Sequence, residues 1–183
     1  MWTVEDDVLF LKYCPSIRDK CYHMISRDTG CRPHEILKLR IKDIVFKNSG
    51  NHQYAEVSVN GKTGSRSISL INSIPYVKDW LDNHPQQGNA NAPLICGYSK
   101  SLGRRINSIT ITLLYKQYKT GLFTKLLDSP NISAEEKQKI KELLRKPWNP
   151  YIRRHSALTE KLEAYGIVPK GKQISDLLTT RPI

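Results

Sequence analysis

Long apolar runs are missing from this chain. Its uninterrupted hydrophobic stretches last only a few residues, far short of the ~20 that a membrane-spanning helix needs. The opening MWTVEDD is acidic and offers neither the basic start nor the apolar core of a signal peptide. A soluble cytoplasmic protein is therefore expected. No C-x-x-C pair occurs either. Cys14, Cys21 and Cys31 lie close to His23 and His34, with Cys96 apart, and this spacing matches no common zinc finger or ribbon. Buried or idle thiols are expected, with no disulfide framework, no metal and no cofactor. Internal repeats and low-complexity blocks are absent, and 183 residues leave room for one compact domain.

Negative charge is also scarce. Seventeen acidic residues face 29 lysines and arginines, a net charge of +12. So large an excess repels itself and marks a polyanion partner. Nucleic acid is the first expectation and an anionic membrane surface the second.

Hydrophobic spacing predicts a helix over 3–14 with Val4, Val8 and Leu11 as its apolar stripe, broken at Pro15. Ser16 caps a second helix through Arg27, Asp28-Thr29-Gly30 turns, and Pro33 opens a short third helix, HEILKL. IKDIVF, QYAEVSV and SRSISLI alternate apolar and polar residues and predict three antiparallel strands, with Lys62 on the second hairpin. A helix from Ser73 through Leu81 follows, then the polar loop HPQQGNANAP. Further helices are expected over 105–123, carrying Ile106, Ile109, Leu113, Leu114 and Tyr118, then from Ser133 to Arg145 and from Pro150 to Leu162. The tail after Gly166 reads as loose. The fold class is α+β, mostly helical, with one small three-stranded antiparallel sheet.

Three segments place a cation beside a turn or a helix start: TGCRPHEILKLRIKDI, NGKTGSRSISLI and NPYIRRHSALTEK. An arginine fork donates two parallel hydrogen bonds to phosphate oxygens, so two forks and a lysine can clamp one phosphate without a metal. Singly, each segment reads as an ordinary surface cation. Their joint order is far more specific.

That ordered set resembles the tyrosine recombinase (phage-type integrase) family, and within it the archaeal-type catalytic domain. Thr29, Gly30, Arg32 and Glu35 match the first box, Lys62 the β-hairpin lysine, and Pro150, Tyr151, Arg154, His155 and Ser156 the second box, usually H-x-x-R-H-[ST]. The resemblance runs from Thr3 to Lys161. It implies catalytic roles for Arg32, Lys62, Tyr151 and Arg154. DNA phosphate binding falls to Arg32, Lys62, Arg154 and His155, and structural roles to Thr29, Gly30 and Glu35. The implied partners are double-stranded DNA, in a nucleoid-associated setting, and other recombinase protomers. The implied reaction is attack by a tyrosine hydroxyl on a phosphodiester, giving a 3′-phosphotyrosyl bond and a 5′-hydroxyl, with no ATP. The arginines would stabilise the pentacoordinate phosphorus and Lys62 would protonate the leaving oxygen. Tyr151, where most members have histidine, can donate a hydrogen bond but is a poor base with a phenol pKa of ~10.

The family nucleophile follows the second box after a helix and a Gly-His or Gly-Trp box. Here the single later tyrosine, Tyr165, stands 11 positions past Arg154. A continuous helix would carry it about 16 Å along the axis, so it is a poor candidate nucleophile. LEAYGIVPKGKQ resembles what archaeal-type members carry after theirs. The expectation is a catalytic domain over 1–165 that lacks the nucleophile segment and the N-terminal core-binding domain, with a tail over 166–183. Autonomous strand cleavage is then not expected. The alternative is a non-catalytic DNA- or RNA-binding or interaction protein derived from an integrase. LLYKQYKTGLFTK interleaves aromatic and basic residues as a single-strand binder would, though its spacing fits core packing better.

Overall fold

A computed structural model describes residues 1–50, 52–61 and 64–164, side chains at 49, 52 and 161–164 excepted. Three helices come first, α1 (Val4–Tyr13), α2 (Ile17–Thr29) and α3 (Pro33–Leu37). An antiparallel sheet follows, in the order β1 (Ile44–Ser49), β2 (His52–Gly61), β3 (Gly64–Leu70). After α4 (Ile74–Asp82) and an irregular stretch come α5 (Ser108–Gln117), a π turn over Tyr118–Phe123, and α6 (Thr124–Leu126). Helices α7 (Ala134–Arg145) and α8 (Tyr151–Ala164) complete the described fold. It is the mostly helical α+β fold with one small sheet that the sequence implies.

Local chemistry sets the boundaries. Thr3 caps α1 reciprocally: its hydroxyl accepts from Asp6 N, and the Asp6 carboxylate accepts from Thr3 N at 2.6 Å. Ser16 and Ser133 cap α2 and α7 one way only, their hydroxyls accepting from Asp19 N and Glu136 N. Helix α2 continues through Thr29, two residues past its expected end, because Gly30 at φ 62° forms a left-handed cap and donates to the Ser26 carbonyl. The expected strand over 41–46 is displaced to Ile44–Ser49. Residues 41–43 form a 3₁₀ turn, held by the Asp43 carboxylate accepting from Arg40 N, and pairing begins with Ile44 opposite Val57.

The predicted face of α1 holds at Leu11, which is buried, and fails at its other two positions. Val4 and Val8 are exposed, and the buried stripe is Asp7, Phe10, Leu11 and Cys14. A carboxylate occupies the first place in that stripe because buried partners await it, and a count of apolar residues passes over it. On α5, Ile109 and Leu113 are likewise exposed, while Ile111 and Tyr115 face inward. Tyr115 is drawn in by its hydroxyl, 2.8 Å from His23 Nδ1. Phe10, Tyr115, Phe123, Trp2 and Trp148 form one aromatic cluster, so the aromatics of LLYKQYKTGLFTK serve the core. The four cysteines are buried and free; burial pushes the Cys14 thiol up to about 11. Among the described residues no helix is long and apolar enough to cross a membrane, and no three His, Cys, Asp or Glu side chains are grouped to hold a metal.

Candidate functional site

The turn between α2 and α3 is built in layers. Thr29 Oγ1 donates to the Ile25 carbonyl at 2.7 Å and accepts from Cys31 N, which welds the helix end to the turn. Gly30 supplies the positive φ, and a Cβ there would meet Ala157 and Leu158 of α8 at 3.6–3.7 Å. Arg32 then sits at the N-cap of α3, with Pro33 at the first helical position. Glu35 reaches back one turn, and its Oε2 accepts from Arg32 N at 2.7 Å. The carboxylate is almost fully buried, and its Oε1 stands 3.6 Å from Arg32 Nη1. Burial raises the Glu35 pKa, but the Arg32 backbone N–H and the charges of Arg66 and Arg32 outweigh it and leave the carboxyl below its ordinary value.

Arg66 is a member of this group that sequence reasoning passed over. It pairs across the sheet with Val59, donates to Glu35 Oε2 at 3.3 Å and points a second bond at Cys31 Sγ, 3.4 Å away. A signal was present: Arg66, Ile68 and Leu70 alternate along β3, so a cation stands on the strand's apolar face and needs a buried carboxylate. The β2–β3 hairpin closes with Gly61 opposite Gly64. A Cβ at Gly61 would come within 2.5 Å of Glu35 Oε1, so only glycine lets the hairpin end approach that carboxylate. Lys62 and Tyr165 lie outside the described residues.

Helix α8 brings the second box to the same place. Arg154 Nη1 donates to the Gly30 carbonyl at 2.6 Å, two residues from Arg32. Tyr151 lies one turn before Arg154 at i−3, and His155 lies on the same side as Tyr151 at i+4; both are exposed. Tyr151 lies near Tyr22, whose buried hydroxyl has its pKa pushed far up, by burial first and by Tyr151 second. The opposite face of α8 buries Ile152, Arg153, Ser156 and Ala157. Arg153 is therefore no part of a surface basic cluster. Its guanidinium lies 3.1 Å from Asp7 Oδ2 and donates to the Trp2 carbonyl. Asp7 Oδ1 is also 2.8 Å from His23 Nε2, and Arg27 Nε lies 3.4 Å from Oδ2. This buried group fixes α8 against α1 and α2.

The arrangement gathers Arg32 and Arg154 around one turn, with Arg32 nearly half exposed and held on its inner side by Glu35 alone among the described residues. Two guanidinium forks at this buried turn, Arg32 exposed and Arg154 half-buried, are equipped to hold a tetrahedral oxyanion.

Residues 4–164 match the Phage integrase family. None of the curated proteins matches the chain. Two solved structures of XerH site-specific recombinase are similar over 88% of this chain. The pre-cleavage complex with difH substrate gives a TM-score of 0.62 at 20% identity over 41% of its own chain. The post-cleavage complex with palindromic difH substrate gives 0.60 at 19% over 40%. This chain thus spans well under half the length of those recombinases, and the likeness is one of fold.

Proposed function

The chain belongs to the Phage integrase family, and from that premise we propose that it grips the scissile phosphate of duplex DNA as the catalytic domain of an archaeal-type tyrosine recombinase. The observation that carries the proposal is the 2.6 Å bond from Arg154 to the Gly30 carbonyl, which seats the second arginine on the turn that bears the first. In this reading Arg32 and Arg154 take the non-bridging phosphate oxygens and stabilise the added charge as phosphorus becomes pentacoordinate. Lys62 protonates the leaving 5′-oxygen, Tyr151 donates a hydrogen bond to the phosphate, and His155 adds a phosphate contact. Thr29, Gly30 and Glu35 hold the turn. The functional unit is 1–165. A tyrosine hydroxyl forms the bond to phosphorus as the bond to the 5′-oxygen breaks, and reversal by a second strand's 5′-hydroxyl reseals the DNA. The chain keeps the phosphate grip without autonomous cleavage, since Tyr165 does not reproduce the family spacing.

Binding to a duplex measured against salt tests the grip. Affinity should fall steeply as salt rises, and Arg32→Ala or Arg154→Ala should each weaken it about 10-fold at low salt. An affinity that is flat with salt, or indifferent to both substitutions, would defeat the reading. A nicked suicide substrate addresses cleavage. No covalent adduct is expected, and an adduct abolished by Tyr165→Phe would restore a complete enzyme.

A further inference from the structure

Beyond the arginine turn, on the far side of Glu35, lies a cleft of about 380 Å³ lined by Glu35, Lys38, Leu39, Arg40, Lys42, Asp43, Ser58, Asn60 and Arg105. Four of these are cations, and none of the four makes an ion pair among the described residues. Of the two carboxylates in the lining, Glu35 is turned to cations outside the cleft, Arg32 and Arg66, while Asp43 accepts from the backbone N–H of Arg40 at 2.7 Å and keeps its charge. Four cations against two carboxylates leave the lining with a net positive charge of +2.

Its walls are built on backbone that is tied down. Leu94 N donates to the Leu39 carbonyl, Ile41 N to Ala92 and Lys42 N to Ala90, so the segment after α3 is laced to the irregular stretch before α5. Arg105 is held from its own side, bridging to Cys96 in backbone and donating to the Lys38 carbonyl at 3.3 Å. Cations gathered from the end of α3, the 3₁₀ turn and the approach to α5 repel one another in the free protein. A fixed concave surface carrying such charge, with Ser58 and Asn60 of β2 as neutral hydrogen-bonding groups, suits a phosphodiester that remains half hydrated.

We propose that this cleft is a second phosphate site, which holds the DNA backbone at a phosphate other than the one gripped by Arg32 and Arg154. The proposal rests on the DNA-gripping reading above and extends it: Glu35 is the wall shared by both sites, so the backbone passes from one to the other along the α3 side of the hairpin. Contacts in the cleft carry no chemistry. They fix the register of the duplex on the protein and contribute to affinity in a sequence-independent manner.

The test compares two double variants that lose equal charge, Lys38→Gln with Arg105→Gln in the cleft, and Lys125→Gln with Lys141→Gln at exposed positions on α6 and α7, outside it. Equilibrium binding of each folded variant to a 30-bp duplex is measured across a salt series. The cleft double should bind about 10- to 100-fold more weakly at low salt, with a slope of log affinity against log salt shallower by about 2, as expected when two phosphate contacts are lost. The control double should change affinity less than about 3-fold. Equal losses in the two doubles would overturn the cleft proposal and leave the arginine site standing. A wild-type chain with no salt-dependent affinity for the duplex would overturn both.

Discussion

Glu35 is the residue on which the site turns. Its carboxylate is buried, yet it stays charged because Arg32, through backbone and side chain, and Arg66 surround it. Hydrogen bonds to a buried charge contribute about 1.5–3 kcal/mol, so Glu35→Gln should cost an amount of that order at neutral pH. The pH dependence follows from the lowered pKa. Such a carboxyl binds fewer protons folded than unfolded, so its contribution is complete above the ordinary value of 4.5 and drains away as pH falls through the lower folded value. Urea denaturation of wild type and Glu35→Gln at a series of pH values should show a gap that is constant near neutrality and closes below 4.5. A gap that persists unchanged into strong acid would mean that the charge of Glu35 is irrelevant and only its shape matters.

Helix α8 can present Arg154 only if its opposite face is held, and that task falls on Asp7. The carboxylate joins α1 to His23 and Arg27 of α2 and to Arg153 of α8, with Asp7, His23 and Arg153 wholly buried. Removing one partner of a buried pair strands the other's charge, so Asp7→Ala should destabilise the fold by about 3–5 kcal/mol, read by chemical denaturation. Asp7→Ala combined with Arg153→Met should recover much of that loss, and failure to recover would show that Arg153 is not the stranded group. The same element explains what the sequence concealed. Cap and turn chemistry at Ser16, Pro33 and Ser133 was legible, as were the alternation of the three strands and the joint order of the arginine boxes. The faces of α1 and α5 were not, because Asp7 and Tyr115 are buried for polar reasons that a hydrophobic stripe does not record. Arg66 and Arg153 escaped for a related cause: a buried cation looks like a surface cation until its carboxylate partner, distant in sequence, is known.

At the scale of the whole molecule, the charge of +12 makes salt act in two opposing directions. In the free protein, added salt screens the self-repulsion of the cation-rich surface, so thermal stability should rise with ionic strength before levelling off as the Debye length shrinks to a few ångströms. If duplex binds as proposed, it should stabilise the folded state by linkage, by about 2.7 kcal/mol when the duplex stands at a hundred times its dissociation constant. For a chain of this size that corresponds to a melting temperature higher by roughly 5–10 °C. Counterion release then weakens the complex by orders of magnitude between about 50 and 200 mM salt, and the added stability disappears with it. The melting curves with and without DNA should therefore converge from opposite sides, the free protein's rising and the complex's falling. Parallel curves would show that the stabilisation owes little to phosphate charge. The excess cations would then have to be explained by something other than the backbone of a nucleic acid.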